Sequence, residues 1–347
     1  MKMDATQPID AVVMWVDGSS DDFQRAEQTA LEEERAKGKT VVHSAARHRD
    51  NGELRYLVRS IEQNMPWIRH IYVVTNGQKP DYIDFSVPGI SQVSHSDIFS
   101  NDAATPCFNS FVIDSYLHNI EGLSENFIRF SDDFFIGRSV EKEEFLKTRA
   151  AFVFKGEVQE QPKTRYQAQV KRNAELMKQV LDVRPKYNVA HAPQLRNIPA
   201  CKRFEETYRD ALMHTRSNRF RTKNDLIPLM LYPYFVLSEG SRESIESMVR
   251  GFNDGLVYVP KREITDRYAQ VAVGREDDNW AGKLDKILQV KPLFFNLNDN
   301  FGAERESEGL EAMDTFLATM FPVPSRFERS PTKTGKSGFV ARFWPKS

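Results

Sequence analysis

Two adjacent carboxylates, Asp132 and Asp133, interrupt the aromatic run FIRFSDDFF at residues 127–135. Side chains alternate along a strand, so such neighbours share one ligand only where the strand ends. Carboxylates this close raise each other's pKa unless a cation joins them. Magnesium commonly combines one or two carboxylates with substrate phosphates. A solvated strand end accounts for the pair equally. A second oxygen-rich stretch, NLNDN, puts Asn296, Asn298, Asp299 and Asn300 directly after LFF. An Asx-rich turn explains it, and so does a second contribution to a metal or phosphate site. In WVDGSS, Asp17, Gly18 and Ser19 sit where a strand gives way to a turn and a helix. A helix N-terminus favours phosphate through its free N–H groups and dipole. Asp17 could instead bind a ribose or base edge, or simply cap that helix. NVAHAPQL holds His191 just before Ala-Pro, in extended and exposed backbone. RSNRFRTKND carries Arg216, Arg219, Arg221 and Lys223 with no acid until Asp225. Arginine forks suit phosphate oxygens. A solvated face for these charges, and a structural role for a lone histidine, are the plainer alternatives.

These residues need elements to place them. AVVMWV (11–16) is a continuous apolar run of the kind that forms a central strand covered on both faces. A charged helix follows and stops at Gly38. In DNGELRYLVRSIEQNMP, Leu54, Leu57, Val58, Ile61 and Met65 share one helical face; Asp50 or Asn51 can cap it and Pro66 ends it. IRHIYVVTNG (68–77) reads as the second strand, SQVSHSDIF as a third, NSFVIDSYLHNI as a helix and NFIRFSDDFFIG as the next strand. This alternation predicts an α/β fold with a mostly parallel sheet and helices on both faces. Ligands of such sheets sit beyond the carboxyl ends of the strands, where Asp17, Asn76 and Asp132–Asp133 all fall. The expected organisation is an α/β core over 1–150, a helical insertion over 151–255, a return segment over 256–328 that completes the core, and a loose basic tail over 329–347.

Composition narrows the function classes. The 347 residues are 40% hydrophobic and 28% charged, with a formal net charge of −1, so no global field draws the chain to nucleic acid or anionic lipid. Cys107 and Cys201 lack CxxC spacing, so no zinc site or disulfide scaffold is expected. The opening MKMDATQPID has no apolar core and LIPLMLYPYFVL is too short to span a bilayer, so neither a signal peptide nor a transmembrane segment is expected. Walker A, GxGxxG, GxSxG and HExxH patterns do not occur.

Taken together, these stretches resemble the Stealth family of sugar-phosphate transferases, which includes bacterial capsule polymerases and the catalytic precursor of the lysosomal N-acetylglucosamine-1-phosphotransferase. The likeness runs through IDAVVMWVDGSS, then RHRDNGELRYLVRSIEQNMPWIRHIYVVTNGQKP, HSDIF, FNS and LSENFIRFSDDFFIG, then NVAHAPQL through RFRTKNDL, and finally PLFFNLNDNFG. Ser131 departs from it, since relatives often carry Asn there. The resemblance implies a Rossmann-like, GT-A-like core and a reaction at phosphorus. A UDP-sugar such as UDP-GlcNAc is the donor and a hydroxyl of an oligo- or polysaccharide is the acceptor. The sugar-1-phosphate moves, a phosphodiester forms and UMP leaves, in capsule or exopolysaccharide synthesis. It implies Mg²⁺ (or Mn²⁺) at Asp132, Asp133 and Asp299. His191 would be general base or nucleophile, and Arg221 would pair with phosphate. Asp17, Gly18, Ser19, Arg49, Asn51, Arg55, Asn76, Gly77, Asn298 and Asn300 would bind nucleotide or phosphate. The expected setting is the bacterial cytoplasm. The basic 163–186 stretch or the tail could dock the enzyme at the inner membrane face, and a solvated face explains the same residues. Two rivals stand beside this reading: a metal-dependent GT-A-type glycosyltransferase that releases UDP, and a non-catalytic sugar-phosphate or polyanion binder.

Overall fold

The computed structural model describes residues 6–39, 41, 48–147, 153–240, 257–259, 263–275, 279–299 and 306–329. Asn300 and the tail from Ser330 lie outside them. The strands are β1 (Ile9–Met14), β2 (Ile68–Thr75), β3 (Ile90–Ser94), β4 (Asn126–Ser131), β5 (Phe134–Ile136), β6 (Val153–Glu157), β7 (Tyr187–Val189), β8 (Gln194–Asn197), β9 (Val257–Val259), β10 (Tyr268–Val273) and β11 (Phe294–Asp299). The helices are α1 (Asp21–Ala36), α2 (Glu53–Asn64), α3 (His95–Ile98), α4 (Ser110–Asp114), α5 (Lys142–Lys147), α6 (Arg165–Leu181), α7 (Ile198–Thr207), α8 (Arg209–Arg216), α9 (Pro228–Gly240), α10 (Trp280–Val290) and α11 (Glu306–Met320).

The central sheet has the order β3-β2-β1-β4-β8. Its first four strands run parallel and β8 closes the edge antiparallel to β4. The fold is therefore α/β with a mostly parallel sheet. β1 lies between β2 and β4 and is buried throughout, which is why its sequence is apolar with no alternation. Its one charged residue, Asp10, is neutralised by Arg69 from β2. A second sheet, β10-β11-β5, is parallel within β10/β11 and antiparallel at β5. A third joins β7, β6 and β9. One large apolar core runs from β1 to Phe327, and a small satellite of Phe23, Ala30, Leu31, Phe108 and Phe220 lies under α1.

Several expectations change. NFIRFSDDFFIG is not one strand: the chain leaves the central sheet at Ser131, turns at Asp132–Asp133 and enters the second sheet at Phe134. Two adjacent half-buried acids cannot both reach water or a common partner from within one sheet, so the strand breaks where they stand. NLND is not a turn; it is the end of β11, paired with β10 through Asp299. Neither Asp50 nor Asn51 is the N-cap of α2. Gly52 is, at φ 81°, while Asp50 accepts from the Gly52 N–H and the Glu53 carboxylate reaches back to the Asn51 N–H. The stretch read as a helical insertion carries α6 to α9 but also β6, β7 and β8, and β8 belongs to the central sheet. At three to five residues each, these strands are too short to show a clear period of two.

Aromatic packing locks the second sheet to α11. Phe135 and Phe295 stack at 5.0 Å, and Phe316 and Phe321 lie 5.7 and 6.2 Å from Phe295. Each such fully buried ring contributes about 2–3 kcal/mol. Gly137 permits the approach of the neighbouring chain, because a Cβ there would stand 2.2 Å from the Pro292 carbonyl oxygen. These contacts fix the position of β11 relative to the Asp132–Asp133 turn.

Candidate active site

The turn after β4 holds Asp132 and Asp133, both half-buried. Strand alternation puts Asn296 and Asn298 on one face of β11, toward that turn. Asn296 Nδ2 donates to Asp133 Oδ2 at 2.6 Å, and Asn298 Nδ2 donates to the same oxygen at 3.1 Å. Asp299, one residue on, belongs to the other face. It pairs with Arg49 (Nη1 to Oδ2, 3.1 Å) and accepts from Asn51 Nδ2 at 3.4 Å. Asn51 Nδ2 also donates to Glu53 Oε1 at 2.7 Å. Among the described residues, no three or more His, Cys, Asp or Glu side chains gather closely enough to hold a metal by themselves.

Loss of water shapes the charge of this side. Burial pushes Asp133 up to about 6, against the pull of the Asn296 hydrogen bond and the Arg129 charge. Asp132 is held well above the ordinary carboxylate range by burial first, then by Asp133, Glu53 and Asp50. Burial also lifts Asp50 to about 6, and burial with the Asp50 charge lifts Glu53 to about 8. Asp299 rises by burial despite Arg49.

The surroundings of His191 are cationic. His191 is half-buried between β7 and β8, with its ring 6.1 Å from that of Phe134 and 6.2 Å from that of Tyr166. Phe134 follows Asp133 directly in the chain, so the imidazole packs on the residue next to the acidic turn. Burial, and then the charges of Arg129, Lys155 and Arg221, lower His191 to about 4. It is a neutral imidazole at neutral pH. Arg221 lies over the Phe111 ring at 4.4 Å and donates to Ser110 Oγ at the start of α4. Arg129, which the sequence reading did not single out, sits 5.4 Å from the Phe134 ring and pairs with Asp114, which also binds Arg196.

At the end of β1, Asp17 does not cap α1; Ser20 does, accepting from the Phe23 N–H. Asp17 Oδ1 instead accepts from the Ser19 N–H at 2.8 Å and the Ser19 hydroxyl at 2.6 Å. Gly18 must be glycine, since a Cβ there would stand 2.3 Å from the His48 carbonyl oxygen. Asn76 and Gly77 form the turn after β2, exposed, with Gly77 at φ 105°. Gln78 was missed. Its Nε2 donates to the Asp17 carbonyl at 2.7 Å and to Ser20 Oγ at 2.6 Å, tying the β1 and β2 turns together. A carboxamide just past a strand end was the one available signal. Arg55 is buried over the Tyr82 ring at 4.8 Å and approaches Glu328 at 3.8 Å, and its charge pulls against the rise of Asp50. Cys107 and Cys201 are free and buried. No helix among the described residues is long and apolar enough to cross a membrane.

The fold and this geometry define a class: an α/β protein with a mostly parallel central sheet, raised acids at the turn after β4 and a histidine lowered by burial and nearby cations packed on the ring that follows that turn. The chain belongs to the Stealth family. Stealth protein conserved region 2 matches residues 47–153, region 3 matches 190–238 and region 4 matches 285–337. Asp132 and Asp133 fall in the first of these, His191 and Arg221 in the second, Asn298 and Asp299 in the third. An exopolysaccharide phosphotransferase of Streptomyces coelicolor is 32% identical over 94% of this chain and 53% of its own. A capsular polysaccharide phosphotransferase of Actinobacillus pleuropneumoniae is 33% identical over 67% of this chain and 66% of its own. The mouse N-acetylglucosamine-1-phosphotransferase subunits alpha/beta are 47% identical over 29% of this chain and 8% of theirs. This chain spans about half the length of the first Streptomyces relative. Among solved structures, the galactosyltransferase LgtC superposes loosely, with a TM-score of 0.40 and 9% identity, covering 91% of this chain and 98% of that one. The fold class rests on the strand order itself.

Proposed function

We propose that this chain transfers sugar-1-phosphate from a UDP-sugar, such as UDP-GlcNAc, to a hydroxyl of a glycan acceptor in capsule or exopolysaccharide synthesis. The acceptor oxygen attacks the phosphorus next to the sugar, the bond from that phosphorus to the bridging oxygen breaks, and UMP leaves carrying that oxygen. The anomeric bond stays intact. One observation supports the reading most: residues of three separate family regions contact one another, with Asn296 and Asn298 bonded to Asp133 and the His191 ring 6.1 Å from that of Phe134.

Each wall then has a task. His191 is neutral and takes the proton of the acceptor hydroxyl. Arg221 and the other cations around His191 offset phosphate charge. Their charges depress the imidazole while the cleft lacks an anion, and a bound diphosphate relieves that effect. Asp17, Gly18 and Ser19, held by Gln78, line the nucleotide end, with Asn76 and Gly77 beside them. Arg49 and Asn51 hold Asp299 at the edge of the same cleft. The donor set at Asp132 and Asp133 fits Mg²⁺ or Mn²⁺. Two adjacent desolvated carboxylates call for a cation, and one or two carboxylates suffice when phosphate oxygens complete the shell. When bound there, the ion neutralises diphosphate charge. Asp299 enters as the partner of Arg49.

The test is to incubate the purified protein with magnesium, a panel of UDP-sugars and mixed oligosaccharide acceptors, and to identify the released nucleotide by mass. UMP is expected. UDP would place the attack at the anomeric carbon and overturn the assigned reaction.

A further inference from the structure

The hydrogen bonds beneath Asp133 run in one direction. Lys155, on β6 in the third sheet, donates from Nζ to Gln270 Oε1 at 2.5 Å. With its oxygen engaged, Gln270 turns Nε2 to Asn298 Oδ1 at 2.8 Å and to Asn296 Oδ1 at 3.1 Å. Those two oxygens accept, so both asparagines present Nδ2 to Asp133. Gln270 and Asn296 are register partners across β10 and β11, which puts the three amides on one sheet face. A carboxamide offers a donor at one end and an acceptor at the other, and a half-turn exchanges them. An ammonium only donates. Lys155 and the Asp133 carboxylate are therefore the two ends whose polarity chemistry fixes, and Lys155 is the donor end.

We propose that Lys155 is a positioning residue for the Asp133 carboxylate. It sets the polarity of a three-amide relay through Gln270, so that two N–H groups, and no amide oxygen, face Asp133. The relay ends on a single oxygen, Oδ2. This role rests on the phosphotransfer reading for its catalytic consequence, and on hydrogen bonds alone for the orientation of the amides. The simpler role for Lys155 is a tie between the third sheet and the second, assisted by its place 5.6 Å from the Tyr268 ring centre.

Gln270→Glu separates the two roles. The new carboxylate keeps the tie to Lys155, now as an ion pair, but it can only accept. It then competes with Asp133 for the Nδ2 groups of Asn296 and Asn298, which no longer both face Asp133. The first measurement is the side-chain amide ¹⁵N–¹H spectrum of the metal-free protein, with Asn296 and Asn298 assigned from their Ser variants. Wild type and Lys155→Arg should show both amides protected from exchange and shifted by the carboxylate. Gln270→Glu and Lys155→Met should lose that signature. In turnover with the donor that gives UMP, the same two variants should lose about 10–100-fold in kcat with donor KM within about twofold, and Lys155→Arg should restore it. Unchanged amide signals in Gln270→Glu would overturn the relay and leave Lys155 a tie. If Lys155→Met does not fold, Gln270→Glu and Lys155→Arg decide. If wild type turns over no donor, the phosphotransfer reading falls on that result while the amide spectra still judge the relay.

Discussion

Asp10 and Asp133 are both aspartates of the central sheet's strands or their ends, and they live in opposite circumstances. Asp10 sits at the amino end of β1, fully buried. Arg69 grips it with both arms, Nε to Oδ1 at 2.8 Å and Nη2 to Oδ2 at 2.6 Å, and the Ser124 N–H adds a third bond at 2.7 Å. Every demand of that carboxylate is met within the protein, and Arg69 is raised in turn by the pairing. Asp133 sits just past the carboxyl end of β4 with amides in place of a guanidinium, beside Asp132, and is driven up to about 6 by burial. The amino end of the sheet is electrostatically closed. The carboxyl end is left in tension, acids lifted on one wall and His191 lowered to about 4 on the other. A charge satisfied internally supports the fold, and one left wanting a counter-charge is available to a ligand.

That contrast can be broken by mutation. His191→Ala should cost about 10²–10⁴-fold in kcat with an unchanged melting temperature, read by UMP release and calorimetry side by side. Asp133→Asn should cost at least about 10²-fold in turnover, yet melt no lower than wild type, because a desolvated charge is removed. Asp10→Asn should do the reverse. Loss of the charge gripped by Arg69 should lower stability by about 2 kcal/mol in denaturant titrations, with kcat per folded molecule preserved. If Asp10→Asn abolished turnover, or Asp133→Asn collapsed the fold, the division between the two ends of the sheet would fail.

A last effect concerns pH. Glu53 ordinarily titrates at 4.5 and is raised to about 8 here, so the folded protein keeps a proton that the unfolded chain has lost. Its contribution is full below pH 4.5 and is lost as pH rises through about 8. Stability should fall across that window by at most about 1.4 kcal/mol per pH unit from this group. Glu53→Gln should flatten the slope, measured as stability against pH in the metal-free protein.

Much of this was legible along the chain. The apolar runs of β1 and β2 and the amphipathic face of α2 declare themselves, because local period and burial coincide. The carboxyl ends of those strands pointed to Asp17, Asn76 and the Asp132–Asp133 turn. The continuation of β11 through NLND was not legible, since Asn and Asp signal turns locally and only pairing with β10 makes them strand. Gln78 and Arg129 also escaped, because each acts by reaching a partner distant in sequence.

By itself, the sequence determined the α/β alternation, the strand ends and the residue types delivered to them, since these depend on local periodicity and turn chemistry. Tertiary structure decided which of those residues face one another. Whether Asn298 or Asp299 meets Asp133 depends on the register and face of β11, and a shift of one residue would exchange them. Whether His191 is charged depends on how far burial and three distant cations reach it. Both are properties of packing in three dimensions, where desolvation and pairing act over distances that spacing along a chain does not encode.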